Sequence, residues 1–322
     1  MMRKIESTPV NVLVLCGPTG SGKTSFAVTL AEHFPLEVIS ADSRQVYRRM
    51  DIGTAKATAW ERAKLPHHMI DLIDPDEEFS VADFVDAARP LISAIAQRGK
   101  IPCVVGGTGL YIRALLGGLA KLPAGNERLR AELHRREAEL GSGTLFRDLQ
   151  RVDPVSAARI HPNNLVRIVR ALEVYELCGK RMSDLQAEHE FSDRPFRTLK
   201  LAMEIPRAEL FARIDHRAEH MLHEGLVAEV EALARDYSPR LKALQTLGYR
   251  EVLRYLEGAV DQVQMLEEIR RHTRQYAKRQ LTWFKNEREI IWVDSSNNSG
   301  RVVQSIDNFI LGQRSGHAQI TI

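Results

Sequence analysis

The segment from Val10 to Thr24 constrains this chain more than any other. VNVLVLC (10–16) is a short continuous apolar run, and GPTGSGKT (17–24) follows it without a gap. Such a run suits a strand buried on both faces. The octapeptide fits G-x-x-x-x-G-K-[ST], a loop between strand and helix whose backbone amides converge on phosphate oxygens. Gly17, Pro18, Thr19, Gly20, Ser21 and Gly22 form the cradle. The helix that starts next adds positive potential, Lys23 a point charge, and the Thr24 hydroxyl a ligand for Mg²⁺. A glycine-rich structural turn explains neither Lys23 nor the context.

Similar apolar runs recur at 36–40, 101–105, 198–205 and 289–293, with helical patterns at 23–33 and 81–97 between them. Strand and helix in alternation imply a parallel sheet with helices on both faces. From Leu122 to about Phe196 the rhythm breaks. That stretch has no convincing strand, while 127–140 and 165–177 read as charged amphipathic helices. The expected architecture is therefore α/β. A P-loop-type core is formed by residues 1–121 and 197–311, an all-helical insertion by 122–196, and a flexible tail by 312–322.

The whole chain carries a formal charge of only +3 over 322 residues. Any nucleic-acid binding must then come from a local concentration of cations. Three cysteines, widely spaced and without CxxC, argue for a reducing compartment and against a disulfide framework. Cys16 and Cys103 sit in apolar runs and read as core thiols. No targeting segment or membrane-length apolar stretch is visible, so the cytoplasm is the expected location.

A phosphate loop does not specify a reaction. Nucleotide hydrolases and kinases with this loop usually place an acid at the end of a second apolar strand. Here 101–105 runs into Gly106-Gly-Thr-Gly109, and the first acid to follow a strand is Asp42. A P-loop kinase of a small nucleoside or metabolite stays as the alternative. A prenylating enzyme for free AMP or ADP and a non-catalytic RNA-binding regulator are further rivals.

The longer markers resolve into a family. SADSRQVYRRMDIGTAK (40–56), PHHMIDL (66–72), GGTGLYIRALL (106–116), HPNNLVRIVRALE (161–173), LGYRE (247–251) and TRQYAKRQLTWF (273–284) resemble bacterial tRNA dimethylallyltransferases, also called tRNA isopentenyltransferases. The resemblance runs from about residue 10 to about 290. It implies transfer of a dimethylallyl group from dimethylallyl diphosphate to N6 of adenosine 37 in tRNA. It also implies a channel entered by a flipped base at one end and the diphosphate at the other.

The exocyclic amine is a weak nucleophile, and Asp42 suits the part of the base that takes its proton. The competing reading of Asp42 is a helix or turn cap. The resemblance makes Arg217 the cation that closes the diphosphate site opposite Lys23. Arg213 and Arg217 share a helix face, which would otherwise read as a solvated charged surface. The resemblance also implies that Asp42, Ser43, Arg44 and Gln45 hold the target base, with Thr108 nearby. Val166, Arg167, Ile168, Val169 and Arg170, and Gln245, Thr246, Leu247, Gly248, Tyr249 and Arg250, would contact the anticodon stem-loop, with Arg130 a further contact.

On a helical wheel Arg270, Arg271, Arg274, Lys278 and Lys285 fall within roughly one quarter-turn. That stripe is suited to RNA phosphates, Arg274 and Lys278 included. His216, His220 and His223 share a helical face and read as surface. His67 and His68 point to different sides of any regular element. A monomer is expected.

Overall fold

Why Val12–Cys16 is apolar throughout follows from its place in the sheet. The computed structural model describes residues 9–189, 191, 193–294 and 299–312. Six strands form one sheet: β1 (Val10–Cys16), β2 (Leu36–Ser40), β3 (His67–His68), β4 (Ile101–Gly106), β5 (Phe196–Met203) and β6 (Ile290–Val293). Their order is β3-β2-β4-β1-β5-β6, and every pairing is parallel. β1 is central, with both edges paired, and from Val12 to Cys16 its side chains are buried on both faces. Leu13 and Leu15 are fully buried, each stabilising the fold by about 2 kcal/mol through transfer from water.

The helices between the strands are α1 (Lys23–Ala31), α2 (Ala59–Lys64), α3 (Val81–Gln97) and α4 (Gly109–Gly117). α1 and α14 (Ser299–Ile310) share one apolar cluster with Leu13, Leu15, Val38 and Val105. α3 packs on β1 and β4 through residues outside that cluster. Ser80 starts α3 with a reciprocal cap from Asp83, which satisfies two otherwise open amides. After β5 come α10 (Arg207–His223), α11 (Leu226–Asp236), α12 (Tyr249–Leu256) and α13 (Gln262–Lys285).

Contacts divide the described residues into two compact units. One is built from both flanks, up to Leu116 and again from Pro195; the other runs from Gly117 to Arg194. The second unit holds α5 (Glu127–Leu140), α6 (Thr144–Val152), α7 (Pro154–Arg159), α8 (Leu165–Cys178) and α9 (Met182–His189), with no strand among its described residues. Leu133, Leu145, Leu149, Ile168 and Leu172 form its core. Beneath them Glu173, fully buried, accepts hydrogen bonds from Arg130, Arg170 and the Asn126 amide. Asp153, also fully buried, receives the amides and hydroxyls of both Ser156 and Ser183.

β3 is a strand of only two residues, too short to leave a sequence pattern. The expected tail falls largely on residues 313–322, outside the described residues. No helix among the described residues is long and apolar enough to cross a membrane.

Candidate active site

The cradle forms at the carboxyl end of β1, where ligands of open parallel sheets collect. Gly22 caps α1 in a left-handed conformation, φ 81°, which a side chain would strain. The Pro18 carbonyl accepts the Ser21 hydroxyl at 2.8 Å and Lys23 Nζ at 2.7 Å. Two longer-range ties fix the loop. The Thr19 amide donates to Gln280 Oε1 at 2.8 Å, and Gln280 Nε2 donates to the Gly107 carbonyl at 2.8 Å. Arg217 donates to the Thr19 hydroxyl at 2.6 Å. A Cβ on Gly107 would overlap the Gln280 amide, and one on Gly106 would overlap the Ala41 carbonyl. The glycines of 106–109 are thus demanded by close approach.

Lys23 and Arg217 open on the same cleft. Burial lowers the Lys23 ammonium to about 8; the nearby Arg217 pushes in the same direction and Asp42 opposes it. Arg217 is likewise pulled down by its surroundings and held up by Asp42. Asp42 is therefore electrostatically close to both cations. Its Oδ1 accepts the Arg44 amide at 2.8 Å, so the capping role and a site role coexist. Thr108 accepts the Ser43 amide at 3.2 Å and is hydrogen-bonded to Tyr276. Burial, then Asp42, raises the Tyr276 phenol to about 12.

Two cavities meet here. One, of about 1260 Å³, contains the cradle; the other, of about 550 Å³, is lined by Ser43, Arg44 and residues 245–248 and 250. Thr19, Asp42, Arg217 and Tyr276 line both, as do Thr54, Ala55 and Met221.

Several side chains named from the sequence are spoken for elsewhere. The Gln45 amide is used by Ser40, Thr54 and Ala55. Tyr249 is fully buried and donates to Glu229 at 2.6 Å. Ile168 and Val169 face the core of the helical unit, whereas Val166 is 77% exposed beside exposed Arg167. Arg130 and Arg170 are tied to Glu173.

The stripe on α13 needs the plainest correction. It is neutralised both from α10, where Asp215 pairs with Arg274 and Glu219 with Arg270, and from within α13 itself. Glu267 and Glu268 also sit beside Arg270 and Arg271. Lys278 remains exposed, over the Phe211 ring. The histidines behave as surface and strand groups: His220 pairs with Glu224, His68 with Glu37, and His67 with the Leu65 carbonyl.

Sequence reasoning missed Gln280. One signal was available: it is a polar residue in the buried row Thr273, Ala277, Gln280 and Phe284 of α13. A buried amide without a reason to be there asks for backbone partners.

The IPP transferase family profile matches residues 45–287. The chain is 53% identical over 300 residues to tRNA dimethylallyltransferase 1 of Syntrophotalea carbinolica, covering 93% of this chain and 96% of the relative. Among solved structures it resembles the full-length tRNA isopentenylpyrophosphate transferase of Bacillus halodurans, at 40% identity and TM-score 0.69, over 95% and 96% of the two chains. A eukaryotic dimethylallyltransferase acting on tRNA superposes with TM-score 0.81 at 30% identity, over 94% of this chain and 80% of that one.

Proposed function

We infer the reaction from one premise: this chain belongs to the IPP transferase family. It is a tRNA dimethylallyltransferase, moving a dimethylallyl group from dimethylallyl diphosphate to N6 of adenosine 37, beside the anticodon. The observation that carries this reading is the meeting of two cavities at Asp42 and Arg217, with Lys23 beside them, both cations half-buried.

Asp42 accepts the hydrogen bond of the adenine amine and takes its proton as the N6–C1 bond forms. The C1–O bond breaks, and its electron pair leaves with diphosphate. Negative charge grows on that group, where Lys23, Arg217 and the amides at the start of α1 stabilise it, the two cations turning from the neutral oxygens they now hold. The electron-poor allyl carbon must be kept from water while the bond forms. Thr24, at the start of α1 and lining the cradle cavity, would hold Mg²⁺ through its hydroxyl. Mg²⁺ takes few protein ligands and completes its shell with phosphate oxygens and water. When bound it would neutralise diphosphate charge.

The tRNA side of the sheet unit takes in Ser43, Arg44, Thr108 and residues 245–248 and 250; on the helical unit, taken by itself, Val166 and Arg167 are the exposed candidates for an RNA contact. Phosphate contacts position the RNA, and the pocket at Asp42 selects the base. The protein works as a soluble monomer in the cytoplasm. The kinase alternative is not favoured, because β4 ends in glycines rather than an acid.

The test is incubation with labelled dimethylallyl diphosphate and unmodified tRNA, with AMP and ATP as rival substrates. Label should enter tRNA alone, without ATP consumption. Asp42→Ala should abolish transfer and keep tRNA binding. A near-normal kcat in that variant removes the base assignment, and label on AMP removes the substrate.

A further inference from the structure

The partition between the two cavities is a short loop. Thr54 and Ala55 line both sides, Ile52 only the cradle side and Gly53 only the other. Behind it lies Glu229, from α11. Its Oε2 accepts the amides of Asp51 at 3.0 Å and Ile52 at 2.8 Å, and its Oε1 the amide of Gly53 at 3.2 Å. The same Oε1 accepts the Tyr249 phenol at 2.6 Å. Four donors use the whole capacity of a carboxylate. Three successive amides converging on one point form an anion-binding nest, and here a fixed side chain fills it.

The loop is held from its other side as well. Gln45 Nε2 donates to the carbonyls of Thr54 at 3.2 Å and Ala55 at 3.1 Å. Between these anchors Ala55 adopts φ 50°, a left-handed conformation that costs an alanine energy. Such backbone persists only where its surroundings over-determine it, and it concentrates at ligand walls. Tyr249 adds a steric stop, since a Cβ on Gly53 would overlap its ring.

We propose that Glu229 is a positioning residue: by fixing the 52–55 partition it sets how long an isoprenoid tail the cradle-side cavity accepts. The inference rests on the prenyl-transfer reading. Glu229 lines neither cavity, so it acts through the loop. The reacting carbon must sit where the cavities meet, near Asp42, and the tail it carries then borders Thr54 and Ala55. A cavity of about 1260 Å³ has far more room than a five-carbon chain needs. Total volume therefore does not select the tail, and a local wall must. Apolar pockets discriminate added carbons weakly unless the wall cannot yield. Anchors on both sides are what keep this one rigid.

The experiment compares kcat/KM for dimethylallyl and geranyl diphosphate, with unmodified tRNA as acceptor, in the full-length protein. In Glu229→Ala the preference for the shorter donor should fall about tenfold, the scale on which apolar pockets sort chain length. The KM for dimethylallyl diphosphate should rise while the KM for tRNA holds. Glu229→Gln keeps one oxygen for two of the donors and should fall between wild type and Glu229→Ala. Tyr249→Phe keeps the ring, removes one hydrogen bond and should move the ratio least. If kcat drops equally for both donors at an unchanged ratio, Glu229 is merely structural and the proposal fails. Should Glu229→Ala not fold, an unchanged ratio in both milder variants overturns it. A wild-type protein that transfers neither donor would instead defeat the prenyl-transfer reading itself.

Discussion

Arg130 and Arg170 in the helical unit and Lys23 and Arg217 in the sheet unit are all cations drawn partly into protein, yet their surroundings differ in kind. The first two converge on Glu173, a carboxylate with no exposure. The second two rest on neutral oxygens, the Pro18 carbonyl and the Thr19 hydroxyl. Neither of them makes an ion pair among the described residues, although Asp42 is near enough to favour their charge. A cation matched by a buried acid is spent on folding. One held by neutral groups keeps its charge for an incoming anion, and perturbed groups of that kind collect at functional sites.

The sharpest way to break this comparison is to remove one member from each side. Lys23→Met and Arg217→Ala should each lower kcat/KM for dimethylallyl diphosphate by about 10²–10³, the usual loss for a transition-state donor. In Arg217→Ala both KM and kcat should change, and an unaltered diphosphate KM would take Arg217 out of the site. Glu173→Ala should do the reverse. It leaves two guanidinium groups without their buried partner and should destabilise the 117–194 unit by about 3 kcal/mol. An earlier urea transition with an unchanged KM for the diphosphate is the expected signature.

A pH profile tests the same contrast more gently. Burial places Lys23 at about 8, and diphosphate binding needs the ammonium form. Donor kcat/KM should therefore be flat below that value and fall as the lysine loses its proton, about fivefold between pH 8 and pH 9. Lys23→Arg stays cationic and should be slower but lack this fall. The smallest effect concerns α13. Lys278→Ala should cut the salt-dependence slope of tRNA binding by about one unit. Arg274→Ala should change it less, because Asp215 already takes up that charge.

Local features were legible wherever one segment contains its own physics. The cradle, β1, α3, α5 and α8 all lay within a residue or two of their expected places, since apolar period and glycine spacing act over a few residues. The α13 stripe was misread for the opposite reason. Its periodicity was right, but Glu267 on the same face was overlooked, and the other neutralising acids, Asp215 and Glu219, come from α10, about 55 positions earlier in the chain. Gln45 and Tyr249 show the same gap: no local pattern reveals that the Gln45 amide holds the Thr54 and Ala55 carbonyls, or that the Tyr249 hydroxyl bonds Glu229 behind the same loop.

What the amino-acid order determined alone was a phosphate cradle between a buried strand and a helix, an α/β core interrupted by helices, and the family. Those follow from short-range geometry and from long ordered markers. Only the tertiary structure decided which cations are free and which are neutralised, that Gln280 ties the cradle to the Gly107 loop, and that Glu229 stands behind the wall between two cavities. Charge compensation and buried hydrogen bonds depend on distance in space, and residues far apart in sequence meet only after the chain has packed.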